Sequence, residues 1–382
     1  MFIPRKQIVN LKKLLLPNKV VTLYGARRVG KTTLINKFID ELQQNPLFKN
    51  NILFISGEDI ISRSFLESQS IQKLKDFIGK NRLLVIDEAQ YVNKIGLNLK
   101  LVVDHIKGIY VIATGSSSFQ LAEDAGEPLT GRKFDLKLFP IAQTELAKVE
   151  DAQKTASDLE TRLLYGGYPE VITTEGEELR KRCLREIVNS YLFKDILQLN
   201  GIKRSGKLVS LLQLLAFQIG NTVSYSELGS QLGLNKNTVE RYLDLLEKTY
   251  VIFRLRGFSR NLRKEISKNP KYYFWDNGIR NALIANFNPL QLRDDKGKLW
   301  ENYIISEFLK KSEYENEFAN FYFWRTYDQQ EIDLIKEKDG QLTAYEIKWG
   351  QQTVRVPFAW KKVYPGAAFH IIKKENYLRF IG

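Results

Sequence analysis

Nine consecutive residues carry the most specific chemistry in this 382-residue chain: Gly25, Ala26, Arg27, Arg28, Val29, Gly30, Lys31, Thr32 and Thr33. The run fits G-x-x-x-x-G-K-[ST], a loop that cradles phosphate. Gly25 and Gly30 permit tight turns, so successive amides and the start of the next helix converge on one anion. Lys31 brings a point charge to the terminal phosphates, and Thr32 offers a hydroxyl to Mg2+. Arg27 and Arg28 fill variable positions, either as phosphate contacts or as solvated charges.

Such a loop needs an acid at the end of a neighbouring buried strand. Leu83-Leu84-Val85-Ile86-Asp87-Glu88 supplies it, four apolar residues followed by two acids. In this Walker B pattern Asp87 would hold Mg2+ through water, and Glu88 would orient and polarise the attacking water. Thr114 or Ser116, at another strand's carboxyl end, could sense the terminal phosphate; a plain strand-end turn reads almost as well. Arg132 offers a cation that could act as an arginine finger, in cis or from a second copy of the chain, or lie on the surface.

A second set of chemical groups lies near the other end. Glu301 shares the inward face of a helix over 298–311 with Ile304, Ile305, Phe308 and Leu309, and a carboxylate facing a core is costly without a partner. Period-two alternation puts Glu346 and Lys348 on one face of a strand over 342–348, and a hairpin turn at Asp339-Gly340 can bring Asp333 beside them. Clustered carboxylates bind one or two Mg2+, and a lysine positions water or offsets developing charge. Asp333, Glu346 and Lys348 resemble the D...E-x-K signature of restriction-endonuclease-like nucleases, with Glu301 as the helical acid.

The elements that must position these groups are legible in the pattern. Val20 to Tyr24 reads as a buried strand and Thr32 to Gln43 as a helix; further strands fall at 52–56, 109–114 and 134–138. Their alternation with helices predicts a doubly wound parallel sheet. Residues 155–200 read as helices broken by Gly166-Gly167-Tyr168-Pro169. Helices over 208–219, 226–232 and 235–248, with strands over 251–256 and 272–275, predict a winged helix whose recognition helix is headed by Lys236, Asn237, Thr238 and Arg241. The expected fold is α/β: a P-loop NTPase parallel-sheet domain (1–150), a helical linker or lid (151–200), a winged helix (201–285) and a restriction-endonuclease-like α/β domain (286–382).

Composition narrows the classes further. Apolar residues at 43% and charged residues at 27% describe a folding globular chain. No apolar run reaches the roughly 18 residues that span a bilayer, and Arg5 and Lys6 lead into no signal-peptide core, so a soluble cytoplasmic protein is expected. One cysteine, Cys183, forbids an internal disulfide, and two histidines cannot build a zinc site. The net charge of +14 divides into +7 for 1–150, +6 for 151–285 and +1 for 286–382. The excess gathers at Arg254, Arg256, Arg260, Arg263, Lys264, Lys268, Lys271 and Arg280, a basic patch suited to non-specific or structure-specific DNA contact.

The order of these pieces resembles a bacterial and archaeal family of AAA-type P-loop ATPases that carry a C-terminal domain of unknown function with a PD-(D/E)-x-K nuclease-like fold. The runs GARRVGKTT, LLVIDEAQ, ATGSSS, LTGRKFDLKLFP, GGYPE, YLFKDI, RLRGFSRNLRKEISKNPKYYFWDNGIR, LWENYIISEF, YFWRTYDQQEIDLI and YEIKWG carry the resemblance over nearly the whole chain. It implies ATP binding and hydrolysis with Lys31, Thr32, Asp87 and Glu88, and a nuclease-type site at Glu301, Asp333, Glu346 and Lys348. Two functions follow: an ATP-driven DNA-processing enzyme, or a regulatory ATPase switch whose C-terminal fold only binds DNA or protein.

Overall fold

A computed structural model describes residues 3–116, 129–189, 205–260, 269–351 and 353–382. They form two compact units, one of residues 4–139 with 248–250 and the other of 1–3, 140–247 and 251–382.

In the first unit, helix α1 (Gln7–Leu14) precedes strand β1 (Lys19–Tyr24), which runs through the glycine loop into helix α2 (Lys31–Leu42). Strands β2 (Ile52–Ser56), β3 (Leu83–Asp87), β4 (Tyr110–Gly115) and β5 (Lys133–Lys137) complete an all-parallel sheet ordered β2-β3-β4-β1-β5. β3 is buried throughout, and β1 and β4 in all but their first residue, which is why they read as continuous apolar runs without alternation. Removing one such Val, Leu or Ile side chain from water contributes about 1.5–3 kcal/mol. β4 lies between β1 and β3, pairing Leu23 with Thr114 and Ile86 with Ala113. Parallel strands end on one edge, so the loop after β1, the acids after β3 and the end of β4 meet there.

The second unit draws its boundaries differently from the expected 201–285 and 286–382. Strands β6 (Ile252–Gly257) and β7 (Lys271–Phe274) form the expected antiparallel hairpin. β6 also pairs in parallel with β8 (Asn320–Arg325), and β9 (Glu331–Lys338), β10 (Gln341–Ile347) and β11 (Ala368–Ile372) continue one mixed sheet ordered β11-β10-β9-β8-β6-β7. Hairpin and C-terminal strands therefore share a sheet. Its core joins Phe258, Trp324, Ile332, Ile335, Ala344, Trp360 and Tyr364, with Trp324 meeting Trp360 edge to face at 5.3 Å.

Helices brace this sheet. Helix α3 (Leu159–Tyr165) ends at the Gly166-Gly167 turn, helix α4 (Pro169–Thr173) starts on its proline, and α5 (Ser205–Phe217), α6 (Tyr225–Leu232) and α7 (Lys236–Lys248) follow. Gly233, at φ +61°, closes α6 with its amide on the Ser230 and Gly229 carbonyls. Helix α8 (Asn277–Leu283) is capped by Asp276, whose carboxylate accepts from Ile279 N at 3.1 Å and from Gly167 N at 2.6 Å, tying the GGYPE turn to β7. Helix α9 (Lys296–Tyr314) is buried nearly all round, beyond the single apolar stripe the sequence predicts, because it touches α3, β7, β10 and the C-terminal turn. Its Asn302 donates to Phe274 O at 3.0 Å and accepts from Phe274 N at 2.7 Å, closing the free edge of β7.

Candidate functional site

The glycine loop of the first unit is shaped for an anion. Arg28 and Gly30 sit at φ +60° and +93°, turning the chain so that α2 begins at Lys31. A Cβ on Gly25 would lie 2.1 Å from the Leu138 carbonyl oxygen, so only glycine fits. From behind, buried Arg5 braces the loop by donating to Val29 O and Phe139 O, each at 2.6 Å. Its distance in sequence hid that role. Lys31 Nζ lies within the loop, 2.9 Å from Gly25 O and 3.2 Å from Ala26 O. Ala26 and Val29 are buried, whereas Arg28, Thr32 and Thr33 are exposed.

The acids meet the loop. Thr32 Oγ1 donates to Asp87 Oδ2 at 2.8 Å, and Thr114 Oγ1 donates to the other Asp87 oxygen. Glu88 takes φ +51°, its amide donating to Thr114 Oγ1 at 3.1 Å. Gln90 Nε2 donates to the Glu88 carboxylate, and Gln90 Oε1 accepts from Ser116 N at 3.3 Å. Thr114 thus joins both acids, while Ser116 reaches them through Gln90. Arg27 Nη2 donates to Tyr91 Oη at 2.7 Å. The sequence assigns Gln90 and Tyr91 no role, and their place directly after the acids is the signal that points to them. The oxygen donors of Thr32 and Asp87, 2.8 Å apart beside an anion cradle, fit Mg2+.

Arg132 is not brought to this edge. Its carbonyl accepts from Val20 N at the start of β1, opposite the loop, and its Nε donates to Asp104 at 2.7 Å. A finger in cis is therefore corrected: the strand that carries it points its other end at the nucleotide edge.

The second unit gathers the other acids in two groups. Asp333 Oδ2 accepts from Ile347 N at 2.8 Å and lies 3.5 Å from Lys348 Nζ, which is 2.6 Å from Glu346 Oε1. Burial, with Glu301 and Glu346 nearby, pushes the Asp333 carboxyl up to about 7. Glu346 Oε2 is buried without a hydrogen-bond partner. Glu301 has partners of its own: Tyr273 Oη donates to Oε1 at 2.6 Å, Lys271 Nζ lies 3.6 Å from that oxygen, and Lys298 Nζ lies 3.0 Å from Oε2. Burial opposes the charge on Glu301, yet Lys271 and Lys298 hold it below the usual carboxylate range. Among the described residues no three acidic, histidine or cysteine groups converge as a metal cluster. The expected acids Glu301, Asp333 and Glu346 are thus electrostatic neighbours, each with a lysine ammonium on its carboxylate.

Lys271, Tyr273 and Glu331 were missing from the expected site. Lys271, 1% exposed, pairs with Glu331 Oε1 at 2.5 Å. It was read as part of a surface patch, and so was Arg280, which is also 1% exposed and bound to Asp295 at 2.5 Å and Ala216 O at 2.8 Å. Lys271 lies on β7, which is buried at every residue, and Arg280 on the buried helix α8, so the patch loses both cations to the interior. Arg254 pairs with Glu247 at 3.4 Å, while Arg256 and Arg260 are exposed. Arg263, Lys264 and Lys268 lie outside the described residues. At the head of α7, Lys236, Asn237 and Arg241 are exposed and Thr238 is half-buried.

A parallel sheet with a glycine loop and a β3-borne acid on one edge meets its counterpart among known families. Residues 17–147 match an AAA domain. The match supports an ATP hydrolase of the P-loop class. Behind the AAA region, residues 156–291 and 296–360 match two families described as domains of unknown function, DUF8612 and DUF4143. Among curated proteins, an uncharacterized protein of Haemophilus influenzae is 26% identical over 357 residues, covering 88% of this chain and 83% of its own. Uncharacterized proteins of Methanocaldococcus jannaschii and Mycobacterium tuberculosis are 25% and 28% identical, covering 87% and 90% of this chain and 76% and 73% of theirs. A structure of replication initiator DnaA bound to AMPPCP and single-stranded DNA aligns with 65% of this chain and 90% of its own, at 15% identity and a TM-score of 0.32, too slight a likeness to carry an argument. No helix among the described residues is long and apolar enough to cross a membrane.

Proposed function

We propose that this chain binds and hydrolyses ATP with Mg2+ and acts on DNA through its second unit. The observation that carries the reading is the contact of Thr32 Oγ1 with Asp87, 2.8 Å, beside the loop that holds Lys31. Backbone amides of the loop and Lys31 bind the phosphates, and Thr32 and Asp87 hold the ion, which supplies charge stabilisation at the transferring phosphoryl group. Glu88 accepts the proton of the attacking water, with Gln90 and Thr114 fixing its carboxylate and amide. The test is ATP turnover: Glu88→Gln should retain ATP binding and lose turnover by about 10²–10⁴-fold. Equal turnover in variant and wild type removes Glu88 from that role.

In the second unit, the α6-Gly233-α7 turn with its exposed Lys236, Asn237 and Arg241, followed by the β6-β7 hairpin, supports a winged helix that grips DNA by its phosphates. Asp333 on β9, Glu346 on the adjacent β10 and Lys348 just past its end support a metal-dependent nuclease of the D...E-x-K kind. A divalent ion there would polarise a phosphodiester and activate water; Asp333 and Glu346 would hold it, and Lys348 would position the nucleophile. One observation favours a second reading, in which this fold only binds DNA or protein: Glu301, Glu331, Asp333 and Glu346 each have a lysine ammonium within 4 Å. Cleavage of DNA with Mn2+ separates the two.

A further inference from the structure

The net charge of +1 over 286–382 conceals a division, because residues 286–346 sum to −5 and residues 347–382 to +6. Between Glu346 and Glu375 the chain carries Lys348, Arg355, Lys361, Lys362, Lys373 and Lys374 and no acid. In the middle of that stretch helix α10 (Phe358–Val363) connects β10 to its parallel neighbour β11. Trp360 and Tyr364, four residues apart, turn inward: the Trp360 ring meets Trp324 at 5.3 Å and the Tyr364 ring meets Phe258 at 5.5 Å. Their burial turns the opposite face of the helix outward. That face carries Phe358, Lys361 and Lys362, which stand side by side at helical spacings of three and four. Phe358 is 76% exposed, and both lysines are exposed. Arg260, beyond the end of β6, adds a guanidinium 5.3 Å from the Tyr364 ring centroid. At the start of α10 the Ala359 amide donates to Gln330 Oε1 at 3.1 Å, tying in the turn that holds Asp328 and the fully exposed Tyr327. Among the described residues no acid lies within 4 Å of Arg260, Lys361 or Lys362.

We propose that the outer face of α10 binds single-stranded DNA, with Lys361, Lys362 and Arg260 on phosphates and the Phe358 ring stacked on a base. The inference rests on the reading that the second unit acts on DNA, and it names where and in which strand form. A single exposed phenylalanine needs no explanation. Its company does: an aromatic ring within one helical turn of two ammonium groups can meet a base and the neighbouring phosphates together, the combination by which single strands are held without regard to sequence. Duplex DNA offers its phosphates to the same lysines, but its bases are stacked on one another and leave the ring no partner. A strand with unpaired bases satisfies both groups at once. The acid-free stretch also keeps a polyanion from meeting repulsion along the helix, while the acids of this fold lie before it in the chain. DNA is therefore gathered by two surfaces of the second unit, duplex at the head of α7 and a single strand on α10.

The experiment titrates the full chain, without ATP, against labelled oligothymidine, oligouridine and duplex DNA of equal length, and against phosphatidylserine vesicles. Phe358→Ala should weaken oligothymidine binding by about tenfold and duplex binding by less than about twofold. Lys361→Gln combined with Lys362→Gln should lower the salt slope of oligothymidine binding by about 1.4, as expected for two phosphate contacts on a single strand. All three positions are exposed, so the variants should fold as wild type does. Oligothymidine binding that survives Phe358→Ala, or keeps its salt slope in the double variant, overturns the proposal. Equal losses on strand and duplex in Phe358→Ala overturn it as well, because the ring would then not be reading an unpaired base. A tenfold preference for oligouridine assigns the face to RNA, and vesicles bound in place of oligothymidine assign it to a membrane surface; either result overturns the proposal. Wild type that binds duplex but no oligothymidine overturns the proposal and leaves the DNA reading standing, whereas wild type that binds DNA in neither form overturns that reading itself.

Discussion

The two acid-bearing sites of this chain are assembled in opposite ways. In the first unit the phosphate loop is one run from Gly25 to Thr33, and its acid partners close the strand that follows two places along the sheet. In the second unit the acids come from α9, β9 and β10, and two of their partners, Lys271 and Tyr273, come from a hairpin strand placed before all of them in sequence. A phosphate cradle works through backbone amides and needs consecutive residues, so its chemistry survives as a motif. A carboxylate site works through side chains, and its properties follow from whichever buried charges the sheet order brings alongside.

The sharpest way to break this contrast is to inactivate each site and read the other. On the proposed metal-dependent reading, Asp333→Ala should lower Mn2+-dependent DNA cleavage by about 10²-fold while ATP turnover stays within about twofold, because that reading makes Asp333 a metal ligand and leaves the glycine loop untouched. Unchanged cleavage would leave the second reading, a fold that only binds.

A smaller effect concerns the packing that carries β7 to the acids. A Cβ on Gly278 would lie 2.1 Å from the Tyr165 carbonyl oxygen, so Gly278→Ala must push α8 away from α3. Overpacking of this kind costs about 3 kcal/mol. Denaturant unfolding should show that loss in the second unit, with ATP binding by the first retained; an unaltered midpoint would mean that α8 is free to shift.

The smallest effect tests buried charge on α7. Burial raises Glu247 on α7 from 4.5 to about 7, against the pull of Arg254 at 3.4 Å. Between those values the folded protein keeps a proton that the unfolded chain has released, so stability falls as pH rises through the window and levels off above it. Glu247→Gln keeps the neutral form, and its Tm should equal that of wild type near pH 4 and exceed it by a few degrees near pH 8. The same gap at both pH values would assign the effect to packing.

Much of the local structure was legible because period and punctuation act over short spans. β1, β3 and β4 of the first sheet are mainly apolar runs, Gly233 marks the turn before α7, and Pro169 starts a helix after its glycine pair. Burial was less legible. Lys271 and Arg280 sit in a stretch dense in cations and read as surface, yet each is sealed against an acid, Glu331 or Asp295, that lies far along the chain. The sequence leaves Arg132 open as a finger in cis, a finger from a second copy or a surface arginine, and strand direction sets it at the edge opposite the glycine loop.

By itself the sequence determined the phosphate loop, the acids that answer it, and the placing of Asp333, Glu346 and Lys348 about one hairpin, since each depends on spacing within one element or one turn. The tertiary structure alone decided that β6 and β7 extend the C-terminal sheet, that Glu301 belongs to Lys271 and Tyr273, and that one carboxylate oxygen of Glu346 is left unpartnered. The reason is range: backbone periodicity is written residue by residue, whereas the pairing of buried charges is set by strands that meet only after the chain has folded.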